Sequence, residues 1–235
     1  MIRVLTLISV LLVSPIAFGQ EKPGEEKKPH PGLMDPAKAN EEAPAKFDVE
    51  FATTKGNFTL TVQRDWSPNG ADRFYNLVRV GYFKDIAFFR AIEGFMAQFG
   101  IHGDPEVNEK WFDATIKDDP NKRISNEPGF ITFAKTGRPN SRSTQFFLNL
   151  GNNGFLDSQG FTPFGKVTKG MDVVKKINTE YGENPPNENV QGDYKAMGNK
   201  YIKKRFPNID FIKSVTLLDA EEMEKRKKKE AALVK

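Results

Sequence analysis

Two short stretches set the terms for this chain. Phe47, Val49 and Phe51 alternate with polar residues, and after Lys55-Gly56 so do Phe58, Leu60 and Val62. A period of two sends successive side chains to opposite faces, so such a segment buries one face as a strand and does not settle as a helix. The glycine-containing break between the two runs reads as the turn of an antiparallel hairpin. Further short runs continue in the same manner at 86–90, 95–99, 129–134, 145–149, 164–167 and 211–218. Helical spacing occurs in only two places. Phe74, Leu77 and Val78 follow Ser67-Pro68, an N-cap residue before a proline at the first helical position, and Gly81 stops that helix. Val173, Val174 and Ile177 mark a second helix within 170–178. Many short strands with two helices predict a mostly β, closed or nearly closed antiparallel barrel capped at its ends. A nucleotide-binding fold needs strands and helices in alternation, and the count is wrong for it.

The residue inventory removes most enzyme chemistries. The chain has no cysteine, which excludes disulfides, thiolate nucleophiles and Cys-ligated metals. His30 and His102 are the two histidines, and a zinc site or a Ser-His-Asp triad would rest almost wholly on His102. No metal and no cofactor is expected. The 35 basic and 31 acidic residues leave a net charge of +4, a near-balance without the concentrated basic surface of a nucleic-acid binder. Twenty phenylalanines supply ample material for a core.

The two ends read differently from the middle. Residues 1–19 have the form of a secretory signal peptide: Arg3, an apolar run from Val4 to Val13, and Ala17-Phe18-Gly19 at the cleavage position. The run halts at Ser14-Pro15, short of the ~20 apolar residues that span a bilayer. The expectation is an exported protein, periplasmic or extracellular, with no membrane insertion once the signal is removed. Residues 20–45 are rich in Lys, Glu, Pro and Ala and read as a flexible linker. Residues 46–219 form the folded domain. Residues 220–235 form a charged C-terminal tail, with Glu221–Lys225, Glu222–Arg226 and Glu224–Lys228 as i,i+4 pairs.

Three segments have compositions odd for pure structure. The first is Phe88-Phe89-Arg90-Ala91-Ile92-Glu93-Gly94-Phe95-Met96-Ala97-Gln98, in which an arginine and a glutamine flank apolar side chains. The second runs from Phe133-Ala134-Lys135 through a Gly/Pro/Ser loop to Ser143-Thr144-Gln145-Phe146-Phe147. The third is Gly154-Phe155-Leu156-Asp157, followed by Gly160-Phe161 and Phe164-Gly165-Lys166-Val167. Taken singly, each has an ordinary structural use, the arginine as a surface charge and the phenylalanines as core.

In order and spacing, FR-x-I-x-GFM-x-Q, FA-x-x-G-x-PNS-x-S-x-QFF and FLD…FGKV together resemble the cyclophilins over nearly all of 47–218. The resemblance implies an eight-stranded antiparallel barrel capped by two α-helices, with a groove on its outer surface. It also implies peptidyl-prolyl cis-trans isomerase activity on proline-containing segments of client proteins, by a monomer that uses neither cofactor nor metal. Residue by residue, it assigns Arg90 as the catalytic arginine and Phe95, Met96, Phe147 and Leu156 to a proline pocket. Gln98 and Gln145 become groove glutamines, and Ala134 and Lys135 fall where the substrate backbone pairs. Two positions depart from the pattern. Phe155, also assigned to substrate binding, stands where many members carry tryptophan, so the indole N–H donor is absent. Gly160-Phe161, with one extra residue, stands where many have histidine, and Phe161 replaces that ring. Residues 181–207 exceed a minimal cyclophilin and receive no role. A competing reading keeps the groove but makes it a chaperone-like module that grips proline segments with little turnover.

Overall fold

The computed structural model describes residues 29–120, 123–183 and 188–219. The signal-peptide and C-terminal-tail assignments lie outside them.

The opening hairpin is built as its alternation requires. β1 (Lys46–Thr53) pairs antiparallel with β2 (Gly56–Gln63), and Phe47, Val49 and Phe51 are buried while their neighbours are not. Helix α1 (Pro68–Arg79) follows and buries Phe74, Leu77 and Val78. Then come β3 (Ile86–Ala87), β4 (Arg90–Ile92), β5 (Met96–Phe99) and helix α2 (Pro105–Phe112). Next are β6 (Phe130–Phe133), β7 (Phe146–Asn149), β8 (Pro163–Lys169) and the single-turn α3 (Met171–Val174). Two helical segments that meet at a non-helical kink at Gly198, together α4 (Val190–Arg205), and β9 (Phe211–Leu218) complete the order.

All pairings are antiparallel, in the order β3-β9-β1-β2-β8-β6-β7-β5-β4. The two outermost strands, β3 and β4, are consecutive in the chain and separated only by Phe88-Phe89. One segment, 86–92, therefore hydrogen-bonds to β9 at its start and to β5 at its end, and the sheet closes on itself through it. Counted as one strand, it reduces nine strands to the expected eight. The interior is filled by aromatic rings: Phe133 and Phe146 meet at 4.4 Å between centroids, Phe51 and Phe58 at 4.6 Å. Each such ring contributes about 1.5–3 kcal/mol by leaving water. A barrel packed in this way has no room for a ligand inside, so any site is external.

Four expectations need correction. Ser67 does not cap α1; its hydroxyl donates instead to Asp119 at 2.6 Å, and Asp119 receives the backbone N–H of Asn69 and Gly70 at 3.1 and 3.0 Å. A carboxylate from a distant loop thus satisfies the helix N-terminus more strongly than a hydroxyl would. The second expected helix is the short α3. Two further helices, α2 and α4, join the two expected, and α4 occupies the stretch that received no role. Finally, the expected flexible linker of 20–45 is not a free tether over its described part. The Leu33 carbonyl accepts from Trp111 Nε1 at 2.8 Å, Glu41 and Asn76 exchange two hydrogen bonds, and Ala43 is buried with its N–H on Asp72. Attachment mainly through backbone groups leaves no apolar period in the sequence.

Candidate active site

Strand parity builds the site. On β5 and β7 every residue is buried, yet the two faces differ. Ala97, Phe99, Phe146 and Leu148 enter the barrel core, whereas Met96 and Phe147 form a separate outer cluster with Leu156. Phe95, Ala134 and Phe161 pack against that cluster. On β4, Ala91 faces the core and Arg90 the outside. The register places Arg90 opposite Gln98, Gln98 opposite Phe147, and Phe147 opposite Thr132. A single row across three strands thereby juxtaposes the guanidinium, an amide and an aromatic floor.

The polar half of this row is bonded in sequence. Arg90 Nη1 donates to Gln98 Oε1 at 3.3 Å, and Gln98 Nε2 donates to Gln145 Oε1 at 2.9 Å. The guanidinium carbon lies 6.0 Å from the Phe95 ring centroid, within cation–π range. On its other edge, Arg90 Nε and Nη2 each donate to a different oxygen of Glu183 at 2.6 Å. The apolar half is a cup in which Phe161 stands edge-on to Phe147, with centroids 5.9 Å apart. The Lys135 ammonium lies 5.5 Å from the Phe161 ring. Apart from Glu183, these side chains line an open groove of about 390 Å³.

All the residues assigned from sequence come together here except one. Arg90, Phe95, Met96, Gln98, Ala134, Lys135, Gln145, Phe147, Leu156 and Phe161 line the groove. Phe155 does not; it is 59% exposed and stacks on the outer side of Phe95 at 6.2 Å. Its place in the sequence run 154–157 puts it on a 3₁₀ turn whose inward residue is Leu156.

Other wall residues escaped sequence reasoning. Gln191 and Lys195 of α4 close one side, and a second cavity of about 570 Å³ shares Thr136, Ser141, Ser143, Gln145 and Lys195 with the first. The Lys195 ammonium sits 4.4 Å from the Phe112 ring centroid, and burial holds its pKa below the ordinary lysine value. Nothing in the spacing of α4 names these residues as groove-lining.

The support beneath the cup is a polar network. Asn153 Nδ2 donates to the Phe95 carbonyl at 2.8 Å and to Asn149 Oδ1 at 2.7 Å. Asn126 Nδ2 donates to the Phe161 carbonyl at 2.8 Å and to Asp157 Oδ1 at 2.7 Å. These bonds fix the backbone on both sides of the pocket. The 136–145 edge is held by Arg73, which donates to the Ser143 carbonyl at 3.2 Å and whose pKa burial lowers to about 10. Gly100 lets the strand leave β5 against this edge: it has φ +111, and a Cβ there would stand 2.1 Å from the Thr144 carbonyl.

The His102 ring lies against Tyr82, and its Nδ1 accepts from the Asp104 N–H at 3.0 Å. Among the described residues, no group of three His, Asp or Glu side chains is placed to hold a metal ion.

Residues 47–195 match the family model for cyclophilin type peptidyl-prolyl cis-trans isomerases, and the chain belongs to that family. It is 35% identical over 133 residues to a peptidyl-prolyl cis-trans isomerase of Acinetobacter baylyi, covering 55% of this chain and 70% of the relative. It is 33% identical over 136 residues to peptidyl-prolyl cis-trans isomerase B of Escherichia coli, covering 55% and 82%. Among solved structures, a cyclophilin from Cryptosporidium parvum superposes with TM-score 0.53 at 21% identity, over 74% of this chain and 98% of the other. A cyclophilin from Hirschia baltica gives TM-score 0.54 at 18% identity, over 76% of each. These likenesses extend to the curled antiparallel sheet as a whole. The family model and the sequence relatives define the enzyme class, the peptidyl-prolyl isomerase.

Proposed function

We propose that Arg90 stabilises the twisted X–Pro bond while the cup of Phe95, Met96, Phe147, Leu156 and Phe161 holds the pyrrolidine ring. The observation that carries this reading is the row Arg90–Gln98–Phe147, which sets a permanent cation beside an apolar pocket. An X–Pro amide resists rotation by ~18–20 kcal/mol because resonance fixes the bond. Twisting it breaks that resonance and leaves a basic lone pair on the prolyl nitrogen. A guanidinium donates to that lone pair and to the prolyl carbonyl most strongly in the twisted geometry. Such binding favours the transition state over the ground state, which is what accelerates a reaction. The steps transfer no proton and form no covalent bond, so a chain without cysteine is equipped for them.

The N-terminal 19 residues support action on exported proteins, whose folding stalls at X–Pro bonds for tens of seconds. Among the described residues, no helix is long and apolar enough to cross a membrane. Mass spectrometry of the protein recovered from the host's extracytoplasmic fraction would give an N-terminus at Gln20 if cleavage follows Gly19.

The test is the cis–trans exchange rate of a short X-Pro peptide with the parent and with Arg90→Ala. The variant is expected to lose one to three orders of magnitude in kcat/KM, about the cost of one transition-state donor. Full acceleration by Arg90→Ala would remove the catalytic assignment. Peptide binding by the parent without acceleration would favour the chaperone-like module.

A further inference from the structure

The stretch 181–207 lends Gln191 and Lys195 to the groove wall and, at Glu183, bonds Arg90 directly. Glu183 reaches Arg90 across 93 positions of sequence and grips it through both carboxylate oxygens at 2.6 Å. We propose that Glu183 is a positioning residue for Arg90, supplied by this insertion; the proposal rests on Arg90 being the catalytic group.

The donor count supports this role. A guanidinium has five N–H donors in a rigid plane. Glu183 takes one on Nε and one on Nη2, and Gln98 takes one on Nη1. Two remain, one on each terminal nitrogen, for a substrate. The side-on fork with a carboxylate is the geometry that fixes that plane best. Gln98 is itself held by Gln145, and the Phe95 ring lies beside the guanidinium, so Arg90 is constrained on two edges and one face.

An arginine held only by Gln98 would have to give up its rotamer freedom in each turnover. Glu183 removes that cost in advance. Its negative charge offsets part of the cation's field, but the carboxylate is 64% exposed and water screens it. The two remaining N–H donors stay directional whatever the net charge. Orientation is therefore the dominant effect.

The described residues just upstream of Glu183 are secured to the body, which gives it a fixed origin. Asn178, a few residues upstream, bonds Asp210 through its N–H at 2.6 Å. Tyr181 packs on Phe206 at 5.0 Å, and its hydroxyl accepts from the Asn208 N–H at 3.1 Å.

The experiment compares the full chain with Glu183→Ala and Glu183→Gln, using exchange kinetics resolved into kcat and KM. Glu183→Ala is expected to lower kcat about tenfold with KM changed less than about twofold, because misorientation acts on the reacting geometry. Glu183→Gln, which keeps one acceptor oxygen, is expected to fall between. The Arg90 Nε–H resonance should shift and broaden in Glu183→Ala, while the melting temperature stays put because the pair is exposed. An unchanged or raised kcat in Glu183→Ala would overturn the proposal and make Glu183 a plug on the arginine. A change confined to KM would also overturn it, by making Glu183 a substrate contact. Loss of the underlying catalytic reading would show separately, as an active Arg90→Ala.

Discussion

Arg142 Nη2 and Asp119 Oδ2 meet at 2.9 Å with both side chains at most 4% exposed, beneath the loop that forms one edge of the groove. Asp119 also holds Ser67 and the first N–H groups of α1, so this one pair ties a helix terminus to the residues leading into Gln145. Removing Asp119 leaves the buried Arg142 guanidinium with Asp118, 3.3 Å from its Nε, as the remaining carboxylate. Asp119→Ala is expected to cost about 1–3 kcal/mol in stability, the cost of buried donors left unsatisfied, read as a fall in the urea midpoint. A loss below about 1 kcal/mol would mean that the helix end and the guanidinium find water instead.

The acid limb of stability should fall in two stages. Burial holds the His102 imidazole below its ordinary 6.5. Burial alone would raise the Asp119 carboxyl, but hydrogen bonds from Ser67, Asn69 and Arg142 outweigh it and hold the group below its ordinary value. In both cases the folded state binds the proton less readily than the unfolded chain. The His102 contribution is full above about pH 6.5 and lost as pH falls below it; that of Asp119 is full above about pH 4 and lost below that. Urea midpoints measured from pH 7.5 to 3 should show both stages. The first should vanish in His102→Asn, whose amide oxygen can accept the Asp104 N–H without titrating.

Phe155 and Phe161 are close in sequence but should differ sharply in effect. Phe161 is a wall of the cup; Phe155 lies outside it on the back of Phe95. Phe161→Ala is expected to raise KM for an X-Pro peptide about tenfold or more, as removing apolar pocket surface does. Phe155→Ala should leave kcat/KM within about twofold, the ordinary range for an exposed position. Equal losses would place the pocket mouth further out than the structure puts it.

The barrel was readable because its signals are local. The hairpin 46–63 alternates strictly, and the strands near it are bounded by glycine and proline. The groove was readable only through the resemblance to the cyclophilins, which assigned Arg90, Gln98 and Phe147; they lie on neighbouring strands whose register fixes their row. Helix α2 had a signal that went unused: Asp104-Pro105 is a cap followed by a first-turn proline, and Asp104 accepts from the Glu106 N–H at 2.9 Å. Helix α4 had almost none. It buries Val190, Tyr194, Gly198 and Ile202, a stripe four residues apart, but Gly192 and Gly198 read as breakers. Phe155, assigned through the resemblance, lies outside the groove because the 3₁₀ turn directs its neighbour Leu156 inward. Glu183 was invisible, because a contact across 93 residues leaves no local pattern.

Gly198 is the point on which α4 depends. It has φ +63, and a Cβ there would lie 2.2 Å from the Gly103 carbonyl oxygen, which instead accepts the Asn199 N–H at 2.9 Å. Gly198→Ala is expected to cost about 1–3 kcal/mol. The Asn199 amide should also lose hydrogen-exchange protection while amides of β1 and β2 keep theirs. Retained protection at Asn199 would mean that the 103 loop can yield.

The closure of the sheet through 86–92 has a consequence beyond shape. That segment is a seam, and Arg90 is stitched into it. Before the seam forms, a chain would display two unpaired ribbons at once, the outer rims of β9 and β5, both flanked by aromatic residues. Each rim invites strand addition from another molecule. The most aggregation-prone moment in the life of this protein would then be the same moment at which Arg90 is still unplaced. Copies that go astray there would be lost to insolubility without ever having turned over a proline.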